Sequence, residues 1–215
     1  MQDTTTELND QSRTTETRER IVEAARQLFF KQGYAATGVA EILKAAEANS
    51  GSLYHFFPSK EDVLVAVLEK YRSMLEPHVL KPAFARSHDP LERLFAILQG
   101  YRLLLEATHF ELGCPIGNLA LEVSNSQRKA RKLIVENFKA WCEAVRSLVV
   151  NASDRFPADI DPASFATHVL AAMEGAVMLA RAYRSFEPFD QTINQLKDYI
   201  GRLARDASKP KKRRR

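Results

Sequence analysis

Apolar residues recur at three- and four-residue spacing along nearly the whole chain, and no run alternates apolar and polar residues as a strand does. That period admits helices and excludes a sheet protein. One stripe is Ile21, Val22, Ala25, Leu28 and Phe29, ending at Gly33. Short helices follow at about 39–46 and 50–56, and Ser59 with Asp62 offers a cap for a helix that stops near Pro77. Asp89-Pro90 and Asp161-Pro162 join an N-cap residue to a proline at the first helical position. They predict helices over 90–108 and 162–185. Helices are also expected at 115–123, at 190–207 beyond Pro188, and along a long amphipathic segment carrying Leu133, Ile134, Phe138, Trp141, Cys142, Val145, Leu148 and Val149. The count is nine, and the fold class is all-α.

Charge divides the chain unevenly. The net charge is +4, yet six basic residues lie within 209–215, and the other 25 Lys and Arg face 27 acids. The body is therefore weakly acidic, and basicity alone does not argue for nucleic acid. Cys114 and Cys142 are too few for a disulfide framework or a zinc motif. Residues 1–13 are polar with no apolar leader, and 169–182 is too short to span a bilayer and is interrupted by Glu174 and Arg181. The expectation is a cytoplasmic protein with no membrane, metal or cofactor. Its domains are a disordered arm at 1–13, a small domain at 14–60, a larger helical domain at 61–207 and a solvated basic tail at 208–215.

Three helices with a tight turn between the second and third describe a helix-turn-helix, its motif at 38–57. Leu53 and Phe56 can pack inward, which leaves Asn49, Ser50, Gly51 and Ser52 facing out. Small residues at a helix N-terminus let backbone amides approach phosphates. Tyr54 and His55 can reach phosphates or base edges, and Thr37 and Lys60 flank the unit as phosphate donors.

The run SGSLYHFFPSKED, with the preceding AA-x-x-LF-x-x-x-G-Y helix end, resembles the DNA-binding region of the TetR family of bacterial regulators. Two features depart from that pattern. Glu47 stands where the family has a glycine in the turn, and 49–57 contains no Lys or Arg. The resemblance implies a homodimer whose last two helices from each subunit form a four-helix bundle. It also implies a larger domain that binds a ligand. Ala172, Gly175, Ala176, Leu179 and Ala180 supply a small-residue stripe on which a symmetry mate can pack.

In the larger domain Cys114 precedes Pro115, so its thiol is expected as an N-cap with glycines 113 and 117 leaving room around it. The Gly-Cys-x-x-Gly-Asn stretch resembles one in a TetR subgroup, some of whose members respond to electrophiles. Phe110, Asn118, Trp141 and His168 are the other candidate lining residues for an effector. The functional expectation is a repressor released from a double-stranded, pseudo-palindromic operator by a small-molecule or electrophilic effector. The alternative is a helical small-molecule carrier, or an enzyme, whose reading head has decayed. No nucleophile-base pair or phosphate loop in the sequence supports an enzyme.

Overall fold

The computed structural model describes residues 3–207, with side chains over 14–204; the basic tail lies outside the described residues. Among the described residues there is no strand. The helices are α1 (Asp3–Gln32), α2 (Val39–Ala45), α3 (Ser50–Phe56), α4 (Lys60–Met74), α5 (Lys81–Phe84), α6 (Pro90–Ala107), α7 (Pro115–Val123), α8 (Arg128–Asn151), α9 (Pro162–Tyr183) and α10 (Glu187–Ala207). The nine expected helices are all there, and α5 is an addition.

Three boundaries differ from expectation. The arm expected as disordered belongs, from Asp3 onward, to α1. It contains no proline or glycine, and extending an existing helix is far easier than starting one. The helix expected to stop near Pro77 instead passes into a π-helical turn, Leu75–Leu80, and continues as α5. A local change of hydrogen-bond register is where a residue lacking N–H can sit. Pro188 lies in the first turn of α10 instead of before it. No intrahelical donor is missed at that position.

The caps read from sequence form. Asp89 accepts from the amides of Leu91 (2.9 Å) and Glu92 (3.0 Å), and Asp161 from those of Ala163 (3.1 Å) and Ser164 (3.2 Å). Ser59 Oγ accepts from Asp62 N at 3.2 Å and donates to the Asp62 carboxylate at 2.6 Å, starting α4.

The chain divides into two compact units that are not contiguous in sequence. One holds the chain up to Arg72 together with Pro115–Asn137; the other holds Ser73–Cys114 and the chain from Phe138 onward. The boundary expected at 60/61 thus lies at 72/73, and α7 with the start of α8 goes with the first unit. Ile21, Phe29, Ile42, Leu53, Phe57, Val63, Leu64, Leu119 and Ile134 are buried in that unit. The second has a core of Leu94, Ile97, Leu105, Trp141, Val145, Phe165, Val169, Met173, Ala176, Ala180, Phe189 and Leu196. By length and composition α9 alone among the described helices could cross a membrane, but its inner side is buried in this core.

Candidate DNA-reading site

The reading unit is α1–α3 with the start of α4. Gly38 is the N-cap residue of α2, and the Glu41 carboxylate accepts from its amide at 2.8 Å. That hydrogen bond holds the Glu41 carboxyl below the usual carboxylate range, helped by Gln32. Between α2 and α3 the chain reverses at Glu47, whose φ of 49° is left-handed. The position the resemblance marked for glycine therefore has the backbone a glycine would favour, held here by a glutamate.

Asn49 caps α3, its side-chain oxygen accepting from Ser52 N at 2.8 Å. Leu53 is fully buried and fixes the helix from beneath. Asn49, Ser50, Gly51, Tyr54 and His55 are exposed along one side, with Ser52 half-buried between them. The inward partner of Leu53 is Phe57 and not Phe56: Phe57 is buried, while Phe56 is half-exposed with its ring 5.0 Å from that of His55. The chain turns extended at Phe57 (φ −136°), which swings that ring into the core, and Arg18 caps its face at 5.3 Å.

A shallow open depression of about 390 Å³ adjoins the start of α3, lined by Thr14, Thr17, Gly51, Ser52, His55 and Phe56. Thr14 and Thr17 of α1 were missed from sequence. Their three-residue spacing puts both on one face of α1, but only the folded chain brings that face beside α3.

Two expected contacts are corrected. Thr37 is only 1% exposed, and its hydroxyl donates to Gly33 O at 2.7 Å, so it closes the α1–α2 turn and offers nothing to a phosphate. Lys60 is half-buried; its Nζ donates to Tyr34 O at 2.5 Å and lies 4.2 Å from the centre of the Tyr34 ring. Burial pushes the Lys60 ammonium below its ordinary pKa, against the attraction of Glu122 and Glu41.

The second unit has its own polar cluster. Cys114, 6% exposed, lies beside Glu174 and Tyr101. Burial raises the Glu174 carboxyl, and burial, then Cys114 and Glu174, holds the Tyr101 phenol well above its usual range. Glu174 Oε1 is buried with no partner of hydrogen-bonding geometry, and Trp141 Nε1 is buried beside the Tyr101 phenol. The room expected around Cys114 is absent at Gly113, where an added Cβ would stand 2.9 Å from Arg181 Cδ. Of the other candidates, Phe110 packs on Phe186 at 4.6 Å, and His168 is exposed on α9 beside Tyr199. Asn118 is half-buried on α7, in the first unit. The cluster therefore gathers Cys114 and Trp141, with Tyr101 and Glu174 not foreseen, and leaves His168 outside.

The small-residue stripe is corrected at two of its five residues, while Leu179 stays exposed and Ala172 and Gly175 are half-buried. Ala176 is 1% exposed and Ala180 is fully buried, so both face the core of their own subunit. The outward apolar residues of α9 are Met178 (57% exposed), Leu179 (40%) and Tyr183 (70%), with Tyr199 of α10. An α-helix that is apolar on two sides does not declare which side is inward.

Comparison with known proteins matches this architecture. A model of bacterial regulatory proteins of the tetR family matches residues 21–67, and one of the tetracyclin repressor-like C-terminal domain matches 90–196. An uncharacterized HTH-type transcriptional regulator of Bacillus subtilis, YxaF, is 31% identical over 80% of this chain and 89% of its own length. The HTH-type transcriptional repressor DhaR of Mycobacterium sp. strain GP1 is 29% identical over 83% of this chain and 89% of that protein. The crystal structure of a regulatory protein TetR from Rhodobacter sphaeroides superposes with a TM-score of 0.74 at 28% identity, covering 86% of this chain and 97% of that one.

Proposed function

Because the chain belongs to the TetR family of bacterial regulatory proteins, we propose that it is a homodimeric, cytoplasmic repressor that reads a pseudo-palindromic operator through α3 and releases it when a small molecule binds the second unit. The observation that carries this reading is the division of α3 itself. Leu53 is fully buried while Asn49, Ser50, Gly51, Tyr54 and His55 stand on the open side. With no Lys or Arg in 49–57, affinity at this surface comes from hydroxyls, the phenol, the imidazole and the backbone amides of the helix start. Thr14 and Thr17 widen that surface to the flank of α1.

A single such head touches few base pairs, and a dimer reads two half-sites. The exposed Met178, Leu179, Tyr183 and Tyr199 supply an apolar face for a symmetry mate. For the effector, the buried Trp141 Nε1 and Glu174 Oε1, set beside Tyr101 and Cys114, are a donor and an acceptor that a polar small molecule would engage. Reactive thiolates sit in exposed, electropositive surroundings. Cys114 is buried beside a carboxyl and a phenol, which favours a noncovalent effector over an electrophile.

The test uses a duplex recovered by the full-length protein from random-sequence DNA. Tyr54→Ala and His55→Ala should each weaken binding to it while helix content and dimerisation stay unchanged. A lost base contact relaxes specificity at one position, and a lost phosphate contact weakens all sequences alike. Unaltered affinity in both variants at fixed salt would remove α3 as the reading element.

A further inference from the structure

The turn between α1 and α2 is held by a side chain from far along the chain. Glu122, next to last in α7, accepts from Tyr34 N at 2.9 Å and from Ala35 N at 2.5 Å, one oxygen to each. Gly33 makes this possible in two ways. Its φ of 90° is a backbone that other residues rarely adopt, and a Cβ there would stand 3.1 Å from Glu122 Oε2. The neighbouring carbonyls are taken as well, Gly33 O by Thr37 Oγ1 at 2.7 Å and Tyr34 O by Lys60 Nζ at 2.5 Å. Side chains thus bind the polar backbone of a turn that lies outside the helices.

Two further points single out Glu122. A carboxylate in the last turn of a helix faces the negative end of the helix dipole and is unfavourable there unless something binds it. The two amides do, in hydrogen bonds strengthened by the charge. The same segment is tied to α4 as well. Lys129 N donates to Glu61 Oε1 at 3.1 Å, Lys129 Nζ pairs with Asp62 at 3.0 Å, and Asn137 Nδ2 donates to Leu68 O at 3.1 Å. With α4 fastened to α7–α8, Glu122 fastens the turn that sets the direction of α2 and α3.

We propose that Glu122 is a positioning residue for operator binding, its carboxylate fixing the α1–α2 turn, and hence the orientation of α3, from α7. This rests on the reading of α3 as the DNA-contacting helix. Helix α7 opens at Pro115, bonded directly to Cys114. The Glu122 hydrogen bonds of 2.9 and 2.5 Å therefore depend on where α7 lies.

The experiment compares full-length wild type with Glu122→Ala and Glu122→Gln. It uses the duplex that the wild type recovers from random DNA and a second duplex with its half-sites one base pair further apart. Glu122→Ala should weaken binding to the recovered duplex about five-fold, the size expected for loss of a hydrogen-bonded pair, and narrow its preference over the respaced one. Amide exchange at Tyr34 and Ala35 should rise about ten-fold. Glu122→Gln, which keeps one acceptor, should fall between, and it carries the test if the alanine variant loses helix content. Unchanged exchange, or faster exchange with affinity and spacing preference intact, overturns the proposal. If the wild type recovers no duplex, the DNA-reading assignment itself fails and this inference falls with it.

Discussion

Lys60 Nζ stands within hydrogen-bonding distance of the Tyr34 carbonyl, 2.5 Å, and 4.2 Å above the ring of the same residue. A lysine beside a DNA-reading helix is ordinarily assigned to phosphate, but this ammonium is turned inward onto the α1–α2 turn. The two roles differ in salt dependence. Each phosphate neutralised by a cation adds about 0.9 to the slope of log affinity against log salt. Lys60→Met should weaken operator binding by loosening the turn and leave that slope unchanged. A slope shallower by about one would return Lys60 to the phosphate backbone.

Glu47 carries the left-handed residue of the α2–α3 turn at φ 49°. A side chain in that region costs roughly 1–2 kcal/mol, while glycine brings about 0.5–1 kcal/mol of extra chain entropy to be lost on folding. Glu47→Gly should therefore stabilise the protein slightly, by roughly 0.5 kcal/mol, in denaturant unfolding. A loss of stability would mean that the glutamate side chain holds the turn by a contact of its own.

These two residues also show what the sequence conveys. Glu47 was legible through the resemblance, which marks that position of the turn for a glycine, and the left-handed backbone is found there. The caps of α6 and α9 were legible because Asp-Pro is a purely local signal, and both form. Where two solutions share one local pattern, the sequence was silent. Phe56 and Phe57 are equally apolar neighbours, and only the extended backbone at Phe57 decides which enters the core. Ala176 and Leu179 are neighbours three residues apart on a helix apolar over much of its surface, so which of them turns inward is set by tertiary packing. Glu122 was invisible because its partners are 87 and 88 residues away, and no spacing rule reaches that far.

Acid stability offers a separate check on α1. The Arg26 guanidinium hydrogen-bonded to Glu23 holds that carboxyl at about 2, down from 4.5. A depressed folded pKa means stability fully present above about pH 4.5 and lost as pH falls towards 2. The Glu23 side chain is 40% exposed, so solvent screening makes the effect small. Glu23→Gln should lower stability slightly at neutral pH and flatten its decline between those pH values, the two curves meeting towards pH 2. An identical acid-unfolding curve in the variant would show that the pair does not form in solution.

For the cysteines, burial governs the expectation. Cys114 lies beside Glu174 and Tyr101, and burial raises the Cys142 thiol above its ordinary range. Iodoacetamide should therefore modify both in the native protein only at rates set by local opening, with Cys114 no faster than Cys142. Rapid, selective labelling of Cys114 that releases DNA would restore an electrophilic effector.

The outward side of α9 makes the last prediction. Met178, Leu179 and Tyr183 expose large apolar surface, while Ala176 and Ala180 are buried in their own subunit. Burial of apolar surface contributes about 25 cal/mol per Å², so charge placed on the outward side opposes association without touching the fold. Met178→Glu with Leu179→Glu should give a folded monomer by sedimentation, with native helix content. Its operator affinity should fall steeply, because each head then binds a half-site alone. Ala176→Glu, by contrast, buries a charge in the core and should unfold the second unit. A double variant that still sediments as a dimer with native operator affinity would move the subunit interface to another face.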